Sequence, residues 1–498
     1  MPEFLAPGTF IEEKPVGANP LAVSGSSTAG FVIIAEKGPV GTPVFVSGYG
    51  DFVRKFGSNP VGGYGVPSVK QYFRHGGARA YICRTCHYTN IDNADTATVV
   101  TATKTVKAGL VDTLKVAALS PGTWGNRLKF TTENKSGNVF DLIVKETIDG
   151  VTFVRERFLQ VSVDPADPRF VEALVNTDPV NKSNFFEVSV LDQTAAPDNA
   201  VDNALTLGND GLTGIVDNDY VGSQASHTGL YSFDPIIDIL NVAIPGVTTQ
   251  TVINGIVTFC ENNTARQFDL GLIDFPIGLT PQQAVTNKTT LYNGSTHVYY
   301  SYLWGQISGV FYPPSAIVAG LIAQTDRKVG PWRAPAGEDF PVGIDALSFP
   351  LSEADEQILY PRHINFFKRT LNGFFNWGVR TGKENDKFKF VTTRRLFNVI
   401  GDTAKRGLTN FVFSPNGPNT WGRVKDTVEA LMGAFFSGGA FAGKSKEESF
   451  FVEVNADLNP PEQMEQGILK YRIGIADVKP AEFVDGIMEL HTSLPVKG

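Results

Sequence analysis

From Tyr231 onward the chain alternates between two hydrophobic periods, and that alternation limits the folds open to it more than any other feature. ILNVAIPG (residues 239–246), FDLGLIDFP (268–276) and HVYYSYLW (297–304) are short, almost continuously apolar runs of the kind found in strands buried on both faces. TQTVINGIVTFCENN (249–263) keeps helical spacing between the first two, and a second helix is expected between the last two. Strands that alternate with helices predict an α/β core. The same signature occurs earlier. GFVIIAEKGPVGTPVFVSGYGDFVRKFG (30–57) reads as strand, Gly-Pro turn, strand and a short helix through Phe52, Val53 and Phe56. VPSVKQYFRHGGARAYICRTC (66–86) reads as a helix broken at Gly76-Gly77, followed by a strand.

Between these two stretches the pattern changes. From about residue 101 to 224 it consists of short β runs such as LKVAAL, RLKFTT, FDLIVKE and FFEVSVL, separated by Gly, Asn and Asp. The fold class expected is therefore α+β, a discontinuous α/β core (21–100 and 225–475) that carries an inserted β-rich surface domain at 101–224. The strongest helix of the chain is TWGRVKDTVEALMGAFF (420–436), with Trp421, Val424, Val428, Leu431, Met432, Phe435 and Phe436 at helical spacing.

Charge excludes one class of partner. The formal net charge of the 498 residues is −8, which disfavours non-specific nucleic-acid binding, a process that needs a basic surface to displace phosphate counterions. Its distribution is uneven: residues 101–224 hold 17 acidic and 11 basic side chains, whereas Arg362 to Arg406 holds 11 basic and 3 acidic. The basic stretch, with Arg394 and Arg395 at its centre, is expected to face a charge-complementary partner. MPEFLAPGTFIEEK has no basic residue before Lys14 and no apolar run, so no signal peptide is expected, and Ala316 to Ala323 is too short to cross a membrane. The expectation is a soluble chain made in the cytosol.

Several motifs imitate chemistry. GGAFAGKS (438–445) satisfies the phosphate-loop pattern, but that loop needs a strand before it and a helix after it; here the strong helix precedes and SFFVEV, a strand pattern, follows. An α/β enzyme that binds a phosphorylated ligand at 438–445 is the alternative function. CRTCH (83–87) matches the pattern of c-type haem attachment, without the export signal that such a protein requires. Its flanks continue a β pattern, which would set Cys83 and Cys86 on opposite faces about 10 Å apart. Those two and Cys260 are expected to be core or edge residues, with an intersubunit disulfide as the other reading. GxSxG and HExxH are both missing, and Glu12-Glu13 and Glu447-Glu448 read as solvated acids. No catalytic residue, cofactor or metal is expected.

The two ends raise a separate question. FVDGIMEL (483–490) is a strand-like run isolated between Pro480 and Pro495, with Val484, Met488 and Leu490 on one face and Phe483 and Ile487 on the other. Thr9, Phe10 and Ile11 form a second lone β-prone run between Pro7-Gly8 and Pro15. Lone terminal strands must pair far away in the chain or with another chain.

Taken in order, PGTFIEE, AGFVIIAEKGPVGTPVFVSGYGDFVRKFG, YFRHGGARAYICR, ALSPGTWGN, LTLGNDG, YPPSAIVAGLIAQTDRKVGPWRAPAG, NWGVRT and the closing YRIGIADVKPAEFVDGIMEL resemble the contractile-tail sheath proteins of bacteriophages and related injection machines. The resemblance covers most of the chain. Val379 stands in NWGVRT where many members carry Ala, and Asn209 in GNDG where Gly is usual. It implies a non-enzymatic subunit that stacks helically around an inner tail tube and contracts to drive the tube through a cell envelope. It further implies baseplate and tail-terminator partners, no nucleic acid, no direct membrane insertion, and a place in a virion tail or phage-like particle assembled in the bacterial host cytoplasm. Residues 1–20 and 476–498 would be exchange arms. Thr9, Phe10 and Ile11 would form one strand donated to a neighbouring subunit, and Phe483, Val484, Ile487, Met488 and Leu490 would carry the other.

Overall fold

A computed structural model describes residues 23–96, 98–292, 294–384 and 387–482. By its internal contacts the chain divides into a larger unit, residues 25–398, and a smaller one, whose described residues are 23–24 and 399–482. Helices and strands are mixed throughout, as an α+β chain requires. The division falls inside 225–475, which the sequence reading treats as one core segment.

The larger unit is organised by a six-stranded sheet. Its order is Val298–Ser301, Leu270–Asp274, Leu240–Ala243, Thr28–Ile33, Ala80–Arg84 and Val44–Val46; all neighbours are parallel except the last pair. Each strand anticipated from an apolar run is present. Parallel strands need both faces covered, and successive side chains go to opposite faces. Phe31, Ile33, Ile82, Ala243, Leu272 and Tyr299 enter one hydrophobic cluster, while Val32, Cys83, Val242, Ile273, Val298 and Tyr300 enter the other.

Helices seal each face. Gln250–Asn262, started by the Thr249 hydroxyl accepting from Val252 N, buries Val252, Ile253, Ile256, Val257, Phe259 and Cys260. At roughly 1.5–3 kcal/mol per fully buried large side chain, that stripe outweighs the helix's weak intrinsic propensity. On the other face, Gly65–Arg74 packs against Pro314–Lys328. A Cβ at Gly320 would stand 2.7 Å from the Tyr72 carbonyl oxygen, so that crossing depends on glycine.

Between residues 102 and 205 lie two antiparallel sheets. One runs Phe186–Val190, Val111–Ala118, Thr103–Ala108; the other runs Ala200–Ala204, Leu128–Ser136, Val139–Ile148, Val151–Ser162. They share a third cluster in which Phe130 and Phe186 meet edge to face, with ring centroids 6.1 Å apart. The stretch leaves and rejoins the rest through one short ladder, Val99–Val100 paired with Asn209–Asp210.

Within the smaller unit, Pro418–Ser437 buries Val424, Val428, Leu431, Met432 and Phe435. It packs on the strand Phe450–Glu453, which pairs with Arg472–Ile475. Trp421 and Phe436 are half-buried at its margins. Among the described residues no helix is long and apolar enough to cross a membrane.

Candidate assembly surfaces and the motifs that imitate active sites

The terminal strand residues Thr9, Phe10, Ile11, Phe483, Val484, Ile487, Met488 and Leu490 lie outside the described residues. The basic pair lies within them, and its two members part company. Both sit on the helix Val391–Gly407, whose apolar stripe includes Val391, Leu396, Val399 and Ile400. Arg395 is on the buried side, 2% exposed; its guanidinium bonds Asp326, which also accepts from the Ser26 hydroxyl at 2.6 Å. A side chain so enclosed offers no surface, which corrects the expectation of a partner-facing pair at this position. Arg394 is half-exposed, donates to Asn398 Oδ1 at 2.8 Å and lies over the Phe388 ring.

Much of the surrounding positive charge is likewise met inside the chain. Lys368 pairs with Glu356 at 2.7 Å, Arg362 with Glu384 at 3.5 Å and Arg406 with Asp402 at 2.5 Å, while Arg380 stacks on Tyr360. A formal excess of eight charges therefore does not translate into one basic patch.

The phosphate-loop imitation has the geometry of a helix exit. Gly439 takes a left-handed φ of +79°, Ala442 N donates to Ala476 O and Lys444 N donates to Glu448 Oε2. Amides that would cradle phosphate are already engaged. A second place to look is the carboxyl end of the parallel sheet, where doubly wound folds bind ligands. There Asp274, fully buried, accepts from Ser315 N at 2.7 Å, Ser315 Oγ at 2.7 Å and Gly246 N at 3.1 Å. Its carboxyl occupies the start of the Pro314–Lys328 helix that an anionic ligand would need. Burial outweighs these bonds and lifts its pKa to about 6.

CRTCH is interior. The strand ends at Arg84, so the alternation expected to separate Cys83 from Cys86 does not reach Cys86. All three cysteines are free and buried. Burial pushes the Cys83 thiol up to about 11 and Cys86 to about 12, which keeps both protonated and poorly reactive, and no buried thiol presents itself to another subunit. Nδ1 of His87 is engaged with Asp219 Oδ2 at 3.1 Å. Among the described residues no group of three or more His, Cys, Asp or Glu side chains is arranged to hold a metal.

Sequence reasoning passed over a polar clasp at the root of the 102–205 stretch. Arg84, 1% exposed, donates to Asp210 Oδ1 at 3.1 Å, to Gly38 O at 2.9 Å and to Pro121 O at 2.7 Å. Asp210 also accepts from the Thr123 hydroxyl at 2.5 Å. An arginine closing an apolar strand, AYICR, was the available signal.

No family model matches the chain. It is 31% identical over 180 residues to a prophage major tail sheath protein of Pseudomonas aeruginosa (strain UCBPP-PA14), a match that takes in 34% of this chain and 44% of that protein. The chain thus spans less than half the length of the curated relative it matches. Two solved structures extend the likeness. The helical sheath of the anti-feeding prophage in its contracted state aligns over 99% of this chain and 100% of that one, with a TM-score of 0.59 at 19% identity. The sheath tail protein from Listeria innocua aligns over 88% and 91%, with a TM-score of 0.61 at 12% identity. The chain resembles contractile-tail sheath proteins in sequence over part of its length, and it has their fold over nearly all of it.

Proposed function

We propose that this chain is the structural subunit of a contractile tail sheath: it polymerises helically around an inner tube and contracts to drive that tube through a target cell envelope. The observation that carries the reading is the end-to-end likeness to a contracted helical sheath. The free energy released on contraction would be stored in subunit interfaces that have two packings, with no nucleotide consumed. Partners on this reading are further copies of the chain, the inner tube protein, and baseplate and tail-terminator proteins. The setting is a virion tail or phage-like particle assembled in the bacterial host cytoplasm.

Residues 1–20 and 476–498 serve as exchange arms, and 101–224 forms an outward domain on a core made of 21–100 and 225–475. Strand donation links subunits through main-chain hydrogen bonds while alternate side chains give fit. The alternative, an enzyme that takes a phosphorylated ligand at 438–445, is disfavoured by the engaged amides of Ala442 and Lys444.

Negative-stain microscopy of the purified protein tests the proposal. Rings or hollow cylinders are expected; compact particles with nucleotide affinity would overturn it. Truncation after Lys479 should leave a folded chain by circular dichroism that no longer polymerises, whereas an unfolded product would sink the arm assignment.

A further inference from the structure

One histidine of the larger unit is held by backbone groups on both sides of its ring. His75 closes the helix Gly65–Arg74 and is buried. Its Nδ1 lies 2.8 Å from Gln71 O, a carbonyl oxygen that can only accept, and its Nε2 lies 3.1 Å from Gly343 N, an amide that can only donate. The two partners therefore fix one state of the ring: neutral, with its proton on Nδ1. A second proton, on Nε2, would set two N–H groups against each other in a site closed to water. Burial holds the pKa below the usual 6.5; the bond to Gln71 O works against this, and the neighbouring Arg74 guanidinium works with it.

The ring has little room to shift. A Cβ at Gly320 would stand 2.9 Å from His75 Cβ, and one at Gly76 would stand 2.7 Å from Gln324 Cβ, so the backbone of His75 is pressed against the helix Pro314–Lys328. At that contact this helix presents Gly320 and Gln324, both uncharged. The helix Gly65–Arg74 contributes Arg74, which also lies beside Gly343. The segment 341–347 contributes Asp345, whose carboxylate accepts from Ser308 N at 2.6 Å. Among the described residues Arg74 is the charge that acts on the ring, and it opposes a second one. Gly343 itself lies between two strands of two residues each: Pro341–Val342, which pairs with Phe374 and Phe375, and Ala346–Leu347, which pairs with Gly305 and Gln306. The segment thus bridges two three-stranded sheets, and Asp345, Ala346 and Leu347 also wall a solvent-open cavity of about 500 Å³. With strands so short, one further tie counts.

We infer that His75 is an acid-sensitive latch: neutral, it ties the 341–347 bridge to the crossing of the two helices, and protonated, it lets the bridge go. The latch goes beyond the sheath reading and does not depend on it. Its sign follows from a folded pKa below the unfolded one: the tie is complete above pH 6.5 and is lost as pH falls through the folded value. In the opened segment the ring titrates at its ordinary pKa, so the opening equilibrium gains up to about tenfold for each pH unit below that value.

Hydrogen exchange of the full chain tests the inference, with rates corrected for the intrinsic effect of pH. Above about pH 7 the protection of residues 341–347 should be constant; from about pH 6.5 down to about 4.5 it should fall by up to about tenfold per unit, while Thr28–Ile33 stays protected. In His75→Gln, whose side-chain oxygen can accept from Gly343 N but takes up no proton in this range, the segment should stay protected throughout. Flat protection of 341–347 in the wild type overturns the latch, and so does an equal loss in H75Q. Loss that extends equally to Thr28–Ile33 overturns it as well, since that is acid unfolding of the whole unit. Should H75Q fold poorly, the wild-type contrast between those two segments decides alone.

Discussion

The six-stranded parallel sheet and the two antiparallel sheets at 102–205 solve burial differently. In the parallel sheet both faces of a strand are core: Thr28–Ile33 is buried at every position. In the antiparallel sheets a strand can spend one face on a shared core and leave the other wet: along Phe186–Val190, Phe186 and Val188 are buried while Glu187 and Ser189 are exposed. A two-faced sheet ties distant segments into one cooperative body, whereas a one-faced pair can lose order without taking its neighbours along. The two regions should therefore answer perturbation on different scales.

The largest effect expected comes from where the antiparallel region is cut away. Deleting 101–224 removes Asp210 and Asp219, which strands the buried Arg84 guanidinium and removes the partners of Thr85, His87 and Tyr88. Breaking a buried pair from one side costs about 3–5 kcal/mol, a large share of a domain's stability, so little soluble protein should survive. Deleting 103–204 keeps the Val99–Val100 ladder with Asn209–Asp210 and the Arg84–Asp210 pair; it takes Arg127 from Glu36, which keeps Asn59, and Pro121 O from Arg84, so it should leave a weakened core that still melts cooperatively in calorimetry. Equal solubility of the two deletions would break the comparison.

Next in size is Arg395→Glu, which sets two carboxyls together inside the larger unit and should cost about 3–5 kcal/mol or more in denaturant melts. Arg394→Glu, one residue away and half-exposed, should fall within about 1 kcal/mol of wild type. Phe130→Ala should destabilise its own sheets by about 3–5 kcal/mol. Hydrogen exchange should show faster exchange confined to 102–205, with the parallel sheet still protected; uniform acceleration would mean that the two regions unfold as one.

The smallest effect is in pH. Asp274 has a folded pKa of about 6, above its unfolded value, so its contribution is complete below pH 4 and is lost as pH rises through 6. For His297 burial lowers the pKa to about 4, so its contribution is complete above about 6.5 and is lost as pH falls toward 4. The slopes oppose each other. Asp274→Asn should make stability rise more steeply between pH 4 and 6, and His297→Gln should make it fall; identical slopes in both variants would remove these two groups as the cause.

How far the sequence foretold this structure depends on the distance over which a signal acts. Periodicity is local, so the strand through Phe31, the helix through Ile256 and the strands through Phe130 and Phe186 were legible. Strand order is not local: Thr28–Ile33 lies between Ala80–Arg84 and Leu240–Ala243, and nothing in the short runs specifies those neighbours. Arg394 and Arg395 show the same limit on a finer scale. Chemically alike and adjacent, they differ in which side of one helix they occupy. The spacing of Arg395 four residues from both Val391 and Val399 was a signal, but it was visible only once VTTRRLFNVIGDTAKRG is read as a helix.

If the sheath reading proposed above holds and the subunit is pulled, the short ladder joining Val99–Val100 to Asn209–Asp210 acquires a mechanical meaning. Tension that travels along the chain from residue 99 to residue 210 crosses from strand to strand in one step, reinforced by Arg84 on Asp210. The backbone of the intervening hundred residues lies off that shortest path. The root of the 102–205 sheets shares in that load, because Arg84 also holds Pro121 O, Gly38 N holds the Ser120 hydroxyl and Arg127 pairs with Glu36, so a change of shape at the root would be felt by the core while the far ends of the hairpins hang clear of it.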